Sequence, residues 1–318
     1  MCGARSAVYA RGLVLAGLVL LAGCASAPVQ VSGETWRRLD QDIAAASRAA
    51  EEQSRAYAVT AMGRWLQLVQ RQTDETFIPW FSGYWTQQWL GLRVSWYRLG
   101  GDEVQRLAAY LQEEYRAQVL EPVAEDISPE RIQRGAMRIY VRQLDMRLQA
   151  LPARHEIPQE QFDARLEALP VLPGASLRQL LRADPLERLP VYAALLERVR
   201  VAPGGDWASD PGISLVAQRT SERLVEEMTT SGAASALSAM LGRAAGSALS
   251  LGVTLFTAMA RASERPQAEA QLRLSLQATL EQEAQALLRS PQHGVLAGVL
   301  ELSGQVERGL AQPFSYRP

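Results

Sequence analysis

One stretch limits what this chain can fold into more than any other: Thr229 to Ala262, which reads TTSGAASALSAMLGRAAGSALSLGVTLFTAMARA. Small residues recur in it at every fourth position, at Ala234, Ser238, Gly242, Gly246, Ser250, Thr254 and Ala258. Residues four apart stack on one face of an α-helix, so these seven make a smooth ridge that another backbone can approach closely. Leu237, Met240, Leu241, Leu249, Leu251, Leu255 and Phe256 take the other faces, and Arg243 is the only charge between Glu227 and Arg261. A helix that is apolar all round has to be buried, in a protein core or in lipid.

Three readings of this ridge follow. It is the central helix of a bundle, packed against a neighbour such as a helix beginning at Glu34. Alternatively it contacts the bilayer: Ala244 to Ala260 is uncharged over about seventeen residues, the lower limit for a span. Its Gly and Ser spacing resembles the glycine-zipper pattern of membrane helices, which would make the protein membrane-perturbing or pore-forming through self-association. Third, it presents a surface to a protein partner.

The rest of the chain reads as all-α, a multi-helix bundle of long amphipathic helices around that small-residue-rich segment. From Glu34 to Thr76 there is no Pro and one Gly, and Trp36, Leu39, Ile43, Ala46, Ala50, Gln53 and Tyr57 step by three and four as a packing seam. Phe77 to Leu99 holds Trp80, Trp85, Trp89 and Trp96, four of the seven tryptophans. Such an aromatic helix is a core element, a membrane-interface belt or a platform for a glycan. Ser128-Pro129-Glu130 caps and opens a helix whose face is Ile132, Ala136, Ile139, Gln143, Met146 and Leu151. Phe162, Leu166 and Leu169 line a short helix, and the prolines between Pro170 and Pro203 allow only short ones thereafter. Glu264 to Ser290 is long, with Ala268, Leu272, Leu276, Leu280, Ala284 and Leu287 inward and Glu281, Glu283 and Arg289 in water. A last helix runs from Val295 to Leu310. No alternating run is long enough to predict a strand. The organisation expected is a signal segment over 1–23, a tether over 24–33, helical regions over 34–202 and 212–312, and a turn-forming linker over 203–211 that contains Pro203-Gly204-Gly205.

The amino terminus carries the most specific motif. Arg5 and Arg11 precede an apolar run from Gly12 to Leu21, too short for an ordinary span and built like a secretory signal. Leu21-Ala22-Gly23-Cys24 closes it and resembles the lipobox of bacterial lipoproteins. That resemblance implies cleavage before Cys24 and a covalent diacylglycerol and N-acyl lipid on that residue. It also implies, with Ala25 next, the periplasmic face of the outer membrane. Two or three acyl chains, each methylene contributing about 0.8 kcal/mol, hold a protein on a bilayer almost permanently. Cys2, the only other cysteine, lies in the removed segment, so packing rather than a disulfide stabilises the expected mature chain.

The formal charge of −1 moves to −3 when Arg5 and Arg11 leave, and mixed-sign charge of that kind does not fit a nucleic-acid partner. Groups suited to catalysis are few. There are two histidines, His155 in a Pro-flanked loop and His293 beside a helix start, no Lys for a phosphate loop, and no Gly-x-Ser-x-Gly. Glu113 with Glu114, or Glu121, Glu125 and Asp126, would be the carboxylate pair of a glycan hydrolase. The expected function is therefore non-catalytic: an accessory or assembly factor, without a cofactor, held to the membrane by its lipid and engaging a protein partner in the envelope.

Overall fold

The computed structural model describes residues 30–84, 112–199 and 265–316. Cys24, the ridge from Ala234 to Ala258, and Trp85, Trp89 and Trp96 lie outside the described residues. Of those described, 81% are helical, which makes the fold all-α.

Helix α1, Gly33–Gln72, is the axis on which the long described helices pack. It starts where Ser32 Oγ accepts the Thr35 amide at 3.1 Å, and forty residues without proline carry it about 60 Å. Thr73–Phe77 widens to a π turn in which the Ile78 amide reaches the Thr73 carbonyl, and α2, Ile78–Tyr84, follows without a break. A second π turn, Arg116–Leu120, leads into α3, Glu121–Asp126. Helix α4, Pro129–Leu148, is capped by Ser128 as the sequence predicts and lies antiparallel along α1. Helices α5, Leu151–Arg154, and α6, Gln159–Glu167, lead to a small antiparallel hairpin of β1, Pro170–Leu172, and β2, Ala175–Ser176. Gly174, at φ 86°, makes its turn. Then come α7, Leu177–Arg182, a 3₁₀ turn over Leu186–Arg188, and α8, Pro190–Val199.

Helices α9, Arg265–Arg289, and α10, Ala297–Leu310, return along α1 one after the other. Together they run along α1 from beyond its far end to the neighbourhood of Ser47. Arg273 on α9 binds Asp74 beyond the far end of α1, and Ser303 on α10 meets Ser47. Phe314, beyond α10, packs edge-on against Trp36 with ring centroids 4.9 Å apart. The turn between α9 and α10 requires glycine at 294. A Cβ there would strike the carbonyl oxygens of Leu287 and Ser290, the groups that accept the amides of Val295 and Gly294.

The buried stripe of α1 is Trp36, Leu39, Ile43, Ala46, Ser47, Ala50, Ser54, Ala58, Met62, Trp65 and Val69. The expected seam holds to Ala50 and then fails, for Gln53 is exposed and Tyr57 half-buried. A strict seven-residue repeat drifts about 20° per heptad on a straight helix, and two heptads suffice to hand the core over to Ser54 and Ala58. The same drift corrects α4, where Ile139, Gln143 and Met146 give way to Met137, Tyr140, Val141, Leu144 and Leu148. On α9, Leu272, Leu276, Leu280, Ala284 and Leu287 are buried as expected. Glu283 is buried with them rather than solvated, because it sits three residues from Leu280 and four from Leu287 on the same stripe.

Candidate functional site

Of the aromatic residues singled out in the sequence, Trp80 is described. It is half-buried against the core on α2, its ring centroid 5.4 Å from that of Phe77. Phe77 also stacks on Phe81 and meets Tyr115 edge-on at 4.9 Å, so Trp80 belongs to an aromatic knot at the far end of α1. Tyr115 Oη shares a hydrogen bond of 2.8 Å with Thr73 Oγ1 there.

Of the acidic candidates, Glu113, Glu114 and Glu121 are engaged by neighbouring side chains, whereas Glu125 and Asp126 are exposed and Arg131 meets only their backbone carbonyls. Arg116 joins Glu113 at 2.8 Å and Glu121 at 2.6 Å, and its hydrogen bond to Glu113 raises its pKa further above the ordinary arginine value. Gln118 Nε2 donates to Glu114. Carboxylates held by one guanidinium in this way brace the π turn they flank. His155 Nε2 lies 2.9 Å from Asp42, which Arg154 also approaches at 3.4 Å, so the α5 turn is fastened to the first third of α1. His293 is exposed, and its amide donates to Ser290 Oγ at the α9–α10 turn. Among the described residues, no group of three or more His, Cys, Asp or Glu has the arrangement to hold a metal ion. Among the same residues, no helix is long and apolar enough to cross a membrane.

Two polar clusters remain. The first is internal: Ser47 on α1, Tyr140 on α4 and Ser303 on α10 join their hydroxyls at 2.8 and 3.4 Å in the centre of the bundle. Burial pushes the Tyr140 hydroxyl well above the ordinary tyrosine value, so it stays neutral. Tyr192, on α8, whose hydroxyl donates to Met137 Sδ at 3.9 Å, is pushed up to about 12, first by burial and then by Glu187.

The second lies outside, between α6 and α7, and is built by local capping. Ser176 Oγ accepts the Gln179 amide while Gln179 Oε1 accepts the Ser176 amide, a reciprocal box that fixes the start of α7. Gln179 Nε2 also donates to Glu167 at the end of α6. Held so, α7 turns Arg178 and Arg182, one helical turn apart, toward Asp163 on α6. Both guanidiniums bind its Oδ2, at 2.8 and 3.0 Å, while Gln159 donates to its Oδ1. The Arg178 Nε–H is buried and makes no hydrogen bond. Arg188, on the 3₁₀ turn that Leu186 anchors in the core, faces the same open groove of about 610 Å³. Arg188 has no ion pair among the described residues. A narrower notch of about 180 Å³ adjoins the groove at Arg178 and Arg182, and Leu148, Phe162, Leu166 and Leu181 contribute its apolar lining. Each guanidinium is a fork of several donors with no acceptor of its own. The groove therefore offers more N–H groups than its carboxylates can take.

Sequence reasoning missed this groove. Its one sequence signal is Arg178 and Arg182 at a spacing of four, which is ordinary for a solvated helix. No protein-family model matches the chain, and neither a curated protein nor a solved structure matches it.

Proposed function

We propose that this is a lipid-anchored helical protein of the bacterial envelope, held through the diacylglycerol and N-acyl lipid of Cys24 at the periplasmic face of the outer membrane. It acts there as an accessory or assembly factor by binding a protein partner, without catalysis. The observation that carries this reading is the lipobox ahead of a continuously packed body. Eight residues, Ala25 to Ser32, separate Cys24 from α1, and such a tether spans at most about 30 Å. A body with one core around a long axial helix, kept that close to a bilayer, suits the presentation of a fixed surface.

Changing Cys24→Ala should move the protein from the membrane fraction to the soluble fraction of cells. An unchanged membrane pellet would sink the anchor. Crosslinking in cells, followed by identification of the attached proteins, should then return a distinct envelope protein. Recovery of nothing but further copies of this chain would replace the assembly role with the membrane-perturbing one, which the Gly242, Gly246 and Ser250 spacing supports.

A further inference from the structure

We infer that the groove between α6 and α7 is a binding site for an amphiphilic phosphate, with Arg178, Arg182 and Arg188 holding the phosphate and the adjoining notch taking the apolar chain. The donor surplus supplies the first half. Arg178 and Arg182 spend one N–H each on a single oxygen of Asp163, and Arg188 spends none on an ion pair among the described residues. Forks from two separate elements, α7 and the 3₁₀ turn, suit a tetrahedral group that presents several oxygens. A planar carboxylate would be satisfied by one fork alone.

Charge limits the ligand to a single anionic group. Glu167 lines the groove with the three guanidiniums, and Asp163, which binds two of them, lines the notch with Asp145. A polyanion would meet those carboxylates along its length. The notch supplies the second half. One wall is apolar, the half-buried Leu181 over the buried Leu148, Phe162 and Leu166, the other carries Gln149 and Gln159, and the notch opens at the two arginines shared with the groove. A short chain attached to the bound phosphate would enter there and cover the exposed part of Leu181.

The ligand class is thus a phosphate ester of an apolar alcohol, either dissolved or as a lipid headgroup. The inference is independent of acylation at Cys24, which fractionation tests separately. The full chain, with phosphatidylcholine nanodiscs present, would be dialysed to equilibrium against hexyl phosphate, inorganic phosphate or hexanol. Hexyl phosphate should be retained more tightly than either of the others, and Arg188→Ala should weaken its retention about tenfold. Leu181→Gln should weaken hexyl phosphate and leave inorganic phosphate unchanged, with an unchanged circular dichroism spectrum as the folding control. Retention that ignores Arg188→Ala, or that is equal for hexyl phosphate and hexanol, would overturn the site. Equal retention of hexyl and inorganic phosphate would overturn the apolar half of it. Adding phosphatidic acid to the nanodiscs separates the two sources: competition with hexyl phosphate assigns a headgroup, and its absence assigns a dissolved ester.

Discussion

The hydroxyls between α1, α4 and α10 and the guanidiniums between α6 and α7 are both polar clusters assembled from several elements, yet their donors and acceptors balance differently. Ser47, Tyr140 and Ser303 each carry one donor and spare acceptor capacity, so the three can satisfy one another with nothing added. That closure is what burial demands, since an unpaired polar group inside costs a few kcal/mol. Arg178, Arg182 and Arg188 bring donors alone, and Asp163 and Glu167 do not exhaust them. Where that surplus faces outward, as at Arg182 and Arg188, water can fill it and a ligand can replace the water, whereas the Nε–H of Arg178 is buried without a partner. Closed polarity fixes how the helices meet, whereas open polarity leaves a place for something else.

The comparison is tested hardest where a guanidinium does lie inside. Arg165 is 2% exposed, and it is matched: Asp40 accepts from it twice, at 2.8 and 2.9 Å, and its Cζ sits 4.9 Å from the Phe314 ring centroid. Asp40→Ala strands that charge and should cost about 3–5 kcal/mol in a urea titration. A loss below about 1 kcal/mol would mean that the fold does not depend on closing the polarity of this buried pair.

Tyr140→Phe comes next, with an expected loss of about 1–2 kcal/mol, because Ser47 and Ser303 are left with each other alone. Alkaline pH probes Tyr140 in that cluster and Tyr192 on α8. A tyrosine whose pKa is higher folded than unfolded stabilises the fold fully below the unfolded value of about 10, and that contribution is lost as pH rises through the folded value. Tyr140 and Tyr192 are both raised, Tyr192 to about 12, so the melting temperature should fall between about pH 10 and 12. Tyr192→Phe should flatten that fall. An unchanged slope would remove Tyr192 from the account. The smallest effect belongs to the groove: Arg188→Ala should shift stability by less than about 0.5 kcal/mol in the same titration, since the groove is not what holds the fold.

Much of the scaffold was legible in the sequence because it depends on spacing. Ser128 caps α4, the unbroken stretch after Ser32 becomes α1, and Leu272 to Leu287 face inward on α9. What spacing missed is how far a straight helix departs from the heptad. Ser54 and Ala58 displace Gln53 and Tyr57, and Tyr140 and Leu144 displace Ile139 and Gln143. The groove was invisible for another reason. Asp163 and Arg178 are brought together by a hairpin of two very short strands turning at Gly174, and neither strand carries an alternating pattern. The arginine contributed by the 3₁₀ turn is placed by the burial of Leu186, a tertiary event that no local pattern announces.

The antiparallel return of α4, α9 and α10 along α1 also sets how the body bears load. A pull applied at the start of α1 runs along the helix axis, so the contacts with α4 and α10 resist it together, in shear. An axial pull on α10 from Phe314 acts in the same sense, because α10 is antiparallel to α1 and ends beside its start, so it loads the same helix contacts in shear. The contact between Trp36 and Phe314 therefore sits where both loads enter the body, and it is drawn along the helix axes from either side.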